Sequence, residues 1–110
     1  MNYNPECLIG IPFNISAFTE YQPQSIVSRM IINKKAGTVT GFAFESGEGL
    51  SEHTAPYDAL VIAIEGEADI LIDGITHHLK AGQMIIMPAK IPHAVHPTSR
   101  FKMMLIMIHE

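Results

Sequence analysis

The chain has 110 residues, of which 47% are hydrophobic and 16% are charged, and its formal net charge is −4. This length and composition predict one globular domain and exclude a disordered chain. The Lys and Arg residues are scattered, whereas a nucleic-acid surface needs a clustered basic patch. The longest apolar runs have six residues, far fewer than the roughly 18 of a membrane-spanning helix. We therefore expect no nucleic-acid partner and no membrane partner.

The N-terminal sequence M-N-Y-N-P-E-C lacks the basic and apolar regions of a signal peptide. Cys7 is the single cysteine, which excludes an internal disulfide and fits a reducing compartment. We expect a cytoplasmic protein. Cys7 has no basic neighbour in sequence, which argues against a nucleophilic role.

The first half of the chain begins with a segment, residues 1–15, whose Pro and Asn content predicts an arm outside the core. Residues 16–21 fit either a helical turn or a short edge strand, and the sequence does not decide between them. Two β-rich segments, 25–33 and 38–45, are predicted strands separated by a turn.

The second half is divided by turn signals at intervals of about eight to ten residues. Asp73-Gly74 is a strong two-residue hairpin signal. The apolar run at 84–87 is predicted to be a strand buried on both faces. The predicted strands are 59–64, 68–72, 75–79, 84–87, a short strand ending at Val95, and 101–108. Many short strands without a long amphipathic helix predict an all-β fold, a small antiparallel β-barrel.

One stretch, G-Q-M-I-I-M-P-A-K-I-P-H, runs from Gly82 to His93 and predicts a functional site. Pro88 and Pro92 frame a tight bend that neither a helix nor a central strand tolerates. The bend delivers His93 toward the interior, as a ligand-binding or metal site requires.

The spacing of Gly82, Pro88 and His93 resembles the second motif of the cupin superfamily. Two positions depart from that motif, because its glycine is replaced by Lys90 and its terminal asparagine by Pro97. The resemblance covers roughly residues 36–108. It implies a small single-domain cupin, a conserved β-barrel of the jelly-roll or double-stranded β-helix type.

The first cupin motif is only partly present. Counting back from Glu65-Gly66, where that motif usually ends, His53 falls on its first histidine. Ala55 stands at the place of the second histidine and Ala59 at the place of the glutamate. The resemblance therefore implies an incomplete metal-ligand motif, in which only His53 and His93 remain.

The resemblance implies a divalent transition metal (Zn, Ni, Fe, Mn or Cu) held by three histidines and a carboxylate. With two ligands missing, we expect His53 and His93 to hold such a metal weakly or not at all. Asp58 is a weaker candidate for the missing carboxylate. It would have to shift by one residue into the place of the glutamate, and such a shift along a strand turns a side chain to the opposite face. His96 is another weaker candidate. It lies three residues after His93, so that in a strand its side chain points to the opposite face.

Small side chains near the histidines predict a pocket inside the barrel. Odd-numbered positions from His53 onward share one face if the strand runs unbroken through them. Such a pocket, apolar with two histidines as polar points, suits a small organic ligand. The expected lining comprises Phe42, Phe44, Ala55, Tyr57, Ala59, Val61 and Met87.

Three functions remain open from the sequence. The first is a small-molecule-binding cupin of unassigned activity, centred on His53 and His93. The second is an enzyme, either a metal-dependent oxygenase or an isomerase-type cupin with a histidine as general base. The third is a non-catalytic sensor or interaction domain. Structural readings compete with all three: the two histidines can be hydrogen-bonded core residues, and core packing explains the methionines without copper.

The last predicted strand, Phe101–Ile108, lacks alternation, and burial on both faces is its simplest explanation. A second subunit is one way to provide that burial, and the resemblance also implies a homodimer. Residues 1–30 could cross onto the partner and cover an edge strand. We accordingly divide the chain into residues 1–35, an arm and first strand or strands open to exchange, and residues 36–110, the barrel core.

Overall fold

A computed structural model describes residues 8–110, so that Cys7 lies outside the described residues. Their regular structure consists of β-strands without an α-helix, which confirms the predicted all-β class. The nine strands are β1 Ile26–Lys34, β2 Gly37–Phe44, β3 Leu50–His53, β4 Ala59–Glu65, β5 Glu67–Ile72, β6 Ile75–Lys80, β7 Met84–Met87, β8 His93–Pro97 and β9 Phe101–Ile108.

The strands form two antiparallel sheets that face each other. The five-stranded sheet has the order β1-β2-β9-β4-β7, and the four-stranded sheet has the order β3-β8-β5-β6. Apart from the β1–β2 and β5–β6 hairpins, every connection carries the chain from one sheet to the other. This winding is that of a jelly roll, and it confirms the predicted cupin-like barrel.

The core lies between the inner faces of the two sheets. In β4, the odd-numbered residues Ala59, Val61 and Ala63 are buried, whereas the residues between them are only half-buried. The four-stranded sheet contributes Ile70 and Val95 from the other side. A side-chain period of two therefore gives each strand one face in the core.

The hairpin between β5 and β6 has the turn that its sequence predicts. Asp73 and Gly74 have φ angles of +52° and +76°, and a type I′ turn requires positive φ at both central residues. This turn matches the twist of the two strands that it joins.

Several predicted elements differ from the structure. Residues 16–19 form a turn and a bend and residues 20–21 are irregular, so that neither a helical turn nor an edge strand spans 16–21, and β8 continues through Pro97 instead of ending at Val95. The expected burial of β7 on both faces is wrong for one copy of the chain, because Met84 is 64% and Ile86 is 61% exposed. The strand expected to run unbroken from His53 is also wrong: β3 and β4 belong to different sheets and are joined by residues 54–58.

Tyr21 links the N-terminal segment to the five-stranded sheet through side-chain contacts. Its hydroxyl donates a hydrogen bond to Glu65 Oε2 at 2.6 Å, and the Arg100 guanidinium lies 4.0 Å from the centre of its ring. Burial, and secondarily the Glu65 carboxylate, raise the pKa of Tyr21. Nearby, the Lys102 ammonium donates to the carbonyl of Ser16. These contacts anchor the chain just before β1.

Two glycines with nearly equal backbone strain allow a paired test of the fold. Gly66 and Gly74 have φ angles of +78° and +76°, but only at Gly66 would a Cβ collide with a backbone atom, the carbonyl oxygen of Arg100. Both Ala variants should lose about 1–2 kcal/mol from left-handed strain. Gly66→Ala should lose a further 1–3 kcal/mol, roughly, from overpacking. Urea unfolding measures both losses, and equal losses would contradict the close approach at Gly66.

Candidate functional site

The two motif histidines meet on neighbouring strands. His93 is the first residue of β8 and follows the proline bend, and His53 is the last residue of β3. The antiparallel register places them directly opposite each other. His93 is buried, with 2% of its surface exposed, while His53 is exposed to solvent. The pair therefore lies at the boundary between the barrel core and water.

The ring nitrogens of the pair point at each other. The Nε2 atoms are 3.2 Å apart, and the rings meet edge to face with their centres 4.4 Å apart and an interplanar angle of 75°. The strand register brings into side-chain contact two residues that are 40 positions apart in the chain. We call these two residues the histidine pair.

Backbone carbonyls fix the tautomer of both rings. His53 Nδ1 lies 2.8 Å from the carbonyl oxygen of Ser51, and His93 Nδ1 lies 3.2 Å from that of Ile91. Because a carbonyl oxygen only accepts, each Nδ1 carries the hydrogen and each neutral Nε2 presents a lone pair. Two lone pairs then face one point, which a shared proton or a metal cation can occupy.

Burial lowers the pKa of His93, and the neighbouring His53 lowers it further through charge repulsion. The Nδ1 hydrogen bond to Ile91 opposes the shift without cancelling it. His93 therefore keeps its Nε2 lone pair at lower pH than an ordinary histidine.

The histidine pair fits two positions of a metal coordination sphere. Bonds of about 2.0–2.1 Å place two adjacent ligand nitrogens roughly 2.9–3.4 Å apart, and the Nε2 separation of 3.2 Å falls in that range. Metal-bound histidines usually donate their other N–H to a carbonyl or carboxylate, as both rings do here. Within residues 8–110, no third His, Cys, Asp or Glu completes a metal-binding group with them.

The two weaker candidates are not joined to the pair. Asp58 Oδ1 accepts a hydrogen bond from the Ala89 amide at 2.7 Å, so that the carboxylate supports the bend after β7. His96 is exposed and lies opposite Asp69 of β5, next to the buried Val95. Alternation along β8 separates it from the side on which His93 lies.

The expected pocket residues occupy two kinds of position. Phe44, Ala59, Val61 and Met87 are buried members of the hydrophobic core, with Phe42 packed against them. Ala55 and Tyr57 are half-buried and lie in the connection between β3 and β4. The expected lining residues thus divide between packed core positions and a more exposed connection.

The structure adds His109, which the sequence reasoning missed. Its ring stacks on Tyr57, with the ring centres 4.4 Å apart and an interplanar angle of 25°. His109 Nδ1 also donates to the carbonyl of Lys35. Since β4 begins where β9 ends, the stack lies at the end of the barrel reached by the connection from His53. The sequence signal that could have identified His109 is its position directly after the long apolar strand β9.

A separate cluster of one histidine and two carboxylates lies on the outer side of the four-stranded sheet. His78 contacts Asp69 at 2.8 Å through Nδ1 and Glu67 at 2.6 Å through Nε2. Hydrogen bonds to both carboxylates raise its pKa, Asp69 having the larger effect. Because an ionised carboxylate only accepts hydrogen bonds, both ring nitrogens donate in this arrangement, and His78 links β6 to β5.

Comparison with known proteins agrees with this fold. The sequence profile described as a cupin domain matches residues 42–109, well over half of the chain. The protein therefore belongs to the cupin family. No curated protein matches the sequence.

Solved structures give the same result. A conserved protein of unknown function from Streptococcus pyogenes is 29% identical, with a TM-score of 0.87, over 92% of this chain and 89% of that one. A cupin superfamily protein from Desulfitobacterium hafniense is 26% identical, with a TM-score of 0.87, over 92% and 93%. A cupin 2 conserved barrel domain protein from Leptotrichia buccalis is 41% identical, with a TM-score of 0.84, over 87% of this chain and 47% of that one.

Lys90, at the glycine position of the second cupin motif, retains a backbone conformation suited to glycine. Its φ angle is +66°, in the left-handed region that side chains disfavour. Its amide donates to the carbonyl of Ala55 at 2.7 Å and ties the bend to the connection after His53. The lysine thus preserves the bend geometry that places His93.

No helix in the described part of the chain is long and apolar enough to cross a membrane.

The electrostatics of the pair can be tested by titration. NMR should give a His93 pKa below the ordinary value of about 6.5. His53→Ala should raise it, because a repelling charge and some burial are lost, whereas His96→Ala should leave it unchanged. Since the folded state protonates His93 less readily than the unfolded state, its contribution to stability is present above about pH 6.5 and is lost as the pH falls. An unshifted His93 would contradict this account.

Proposed function

We propose that this cupin binds a small organic molecule at the histidine pair, and that the pair holds one divalent transition metal weakly. The observation that carries the proposal is the 3.2 Å separation of two Nε2 atoms whose Nδ1 atoms are both held by carbonyl oxygens. A divalent metal and a protonated ligand group both satisfy two converging lone pairs.

The surroundings of the pair support a ligand that is polar at one end and apolar at the other. The pair supplies the polar contact, while buried apolar residues such as Val61 and Met87 lie in the core of the same barrel. His53 is exposed to solvent, and the connection that follows it carries Tyr57, whose ring stacks on His109. This combination of few polar groups with apolar and aromatic surface is typical of small-molecule sites.

His53 and His93 would hold the metal through their Nε2 atoms, and water or the ligand would fill the remaining positions. When bound, a divalent metal supplies Lewis-acid polarisation of an oxygen ligand. The expected affinity is low, because neither a third histidine nor a carboxylate joins the pair among residues 8–110. The carbonyl contacts still orient both imidazoles before the metal arrives.

Calorimetric titration of the metal-stripped protein with Zn²⁺ and with Ni²⁺ tests the metal proposal. The wild type should bind one ion, and His53→Ala and His93→Ala should each weaken binding at least about tenfold, since each removes a direct ligand. His96→Ala is the matched control, because it removes an exposed histidine three residues from His93.

His78→Gln is the second control, since its cluster with Asp69 and Glu67 is another place where a histidine meets carboxylates. Binding that survives both substitutions in the pair but is lost in His78→Gln would overturn the metal proposal. Thermal-shift screening with small organic acids and sugars would then show whether ligand binding still depends on His93.

An isomerase-type enzyme is the second candidate, favoured by the Nδ1 contacts with carbonyl oxygens that leave the Nε2 atoms of both histidines as proton acceptors. A histidine that remains unprotonated near neutral pH can accept a proton from a bound substrate. Such activity would be lost in His93→Ala and would persist in the metal-stripped protein.

A further inference from the structure

The bend that precedes β8, residues 88–92, is joined to the connection that follows β3. The Ala89 amide donates a hydrogen bond to Asp58 Oδ1 at 2.7 Å, and the Lys90 amide donates to the carbonyl of Ala55, also at 2.7 Å. Both acceptors belong to the same connection between β3 and β4. Two consecutive amides of the bend therefore point at the segment that follows one histidine of the pair, while the bend itself leads to the other histidine.

Asp58 differs from the other residues that hold the bend, because it acts through its side chain. Ala55 contributes a carbonyl, and on the other side of the bend the Asp73 amide donates to the carbonyl of Pro92 at 2.8 Å. Within the described part of the chain, Asp58 is the one residue outside the bend and β8 whose side chain hydrogen-bonds to residues 88–92. A substitution of Asp58 therefore removes one contact of the bend and leaves the backbone contacts available.

The bend depends on contacts from outside because its backbone is strained. Lys90 has a φ angle of +66°, in the left-handed region that residues with a Cβ disfavour. Such strain persists only where the surrounding structure holds the backbone in place. A carboxylate is a stronger hydrogen-bond acceptor than a neutral carbonyl, so that Asp58 supplies a strong contact directly before the strained residue.

The position of the bend decides where the ring of His93 lies. His93 follows the bend directly and is buried. The carbonyl that orients its ring belongs to Ile91, which is part of the bend. A displacement of the bend would therefore move both the backbone of His93 and the group that orients its side chain. A shared ligand tolerates a displacement of only about 0.5 Å, and the Nε2 atoms of the pair are 3.2 Å apart.

We propose that Asp58 is a positioning residue of the histidine pair, which acts through Ala89 and the bend to hold His93 Nε2 opposite His53 Nε2. The carboxylate that the sequence offered as a metal ligand thus has a different role: it holds an amide, and within residues 8–110 it joins no metal-binding group. The positioning role itself is independent of the proposed function. Its consequence for binding rests on that function: Asp58→Ala should weaken Zn²⁺ binding about tenfold although both ligands remain.

Nuclear Overhauser contacts between the two imidazole rings test the proposal in the metal-free protein. In the wild type near neutral pH, the ring protons of His53 and His93 should give a cross-peak. Asp58→Ala should weaken this cross-peak severalfold and should speed hydrogen exchange of the Ala89 amide at least about tenfold. Asp58→Asn keeps an acceptor oxygen and should restore both values to near those of the wild type. Since Asp58 is exposed, Asp58→Ala opens no cavity in the core.

Two control variants separate positioning from stability and from charge. Gly66→Ala destabilises the fold at the far end of β4 from Asp58, and it should leave the ring cross-peak unchanged. Glu52→Gln removes an exposed carboxylate directly before His53, and it should also leave the cross-peak unchanged. All variants should keep the wild-type circular dichroism spectrum.

The proposal fails if the cross-peak is absent in the wild type, or if Asp58→Ala leaves the cross-peak and the Ala89 exchange rate unchanged. Equal weakening of the cross-peak in Asp58→Ala and Gly66→Ala would assign the effect to stability and would refute positioning. Calorimetric titration of the wild type with Zn²⁺ separates this proposal from the proposed function. A cross-peak that depends on Asp58 in a protein that binds no Zn²⁺ would support positioning and contradict metal binding.

Discussion

Antiparallel pairing of β3 with β8 is the constraint on which the candidate site depends. β3 has four residues, and its register with β8 is irregular between Leu50 and His53. A shift of one residue in this short ladder would turn His53 away from His93. The bend before β8 fixes the position of His93. In that bend Lys90 has a left-handed conformation, and its amide donates a hydrogen bond to the carbonyl of Ala55. Two local features thus bring together residues 40 positions apart.

The sequence contained most of the fold because the strands are short, apolar and separated by strong turn signals. Asp73-Gly74 formed the expected turn, since few residue pairs adopt positive φ at both central positions. β3 was missed because three of its four residues, Ser51 to His53, are polar and give no strand pattern. The exposure of β7 was also missed, since an unbroken apolar run does not reveal whether an outer face meets its own chain or another.

For the site, the motif spacing identified His53 and His93 as a pair before any geometry was known. Sequence could not predict the two carbonyl contacts at Nδ1, because they depend on backbone angles rather than on residue type. Nor could it predict that the Asp58 carboxylate binds the Ala89 amide, because that contact forms only when the β4–β7 edge is assembled. The Tyr57–His109 stack depends on the end of β9 in the same way.

Each histidine of the pair is oriented by a carbonyl only two residues before it in the chain. The orientation is therefore encoded in two separate three-residue units and not in a network shared with other ligands. In the cupin motif, Ala55 and Ala59 occupy places where further ligands can stand, and the remaining imidazoles hold their geometry without them. A substitution that disturbs one of these units can therefore leave the other imidazole oriented as before.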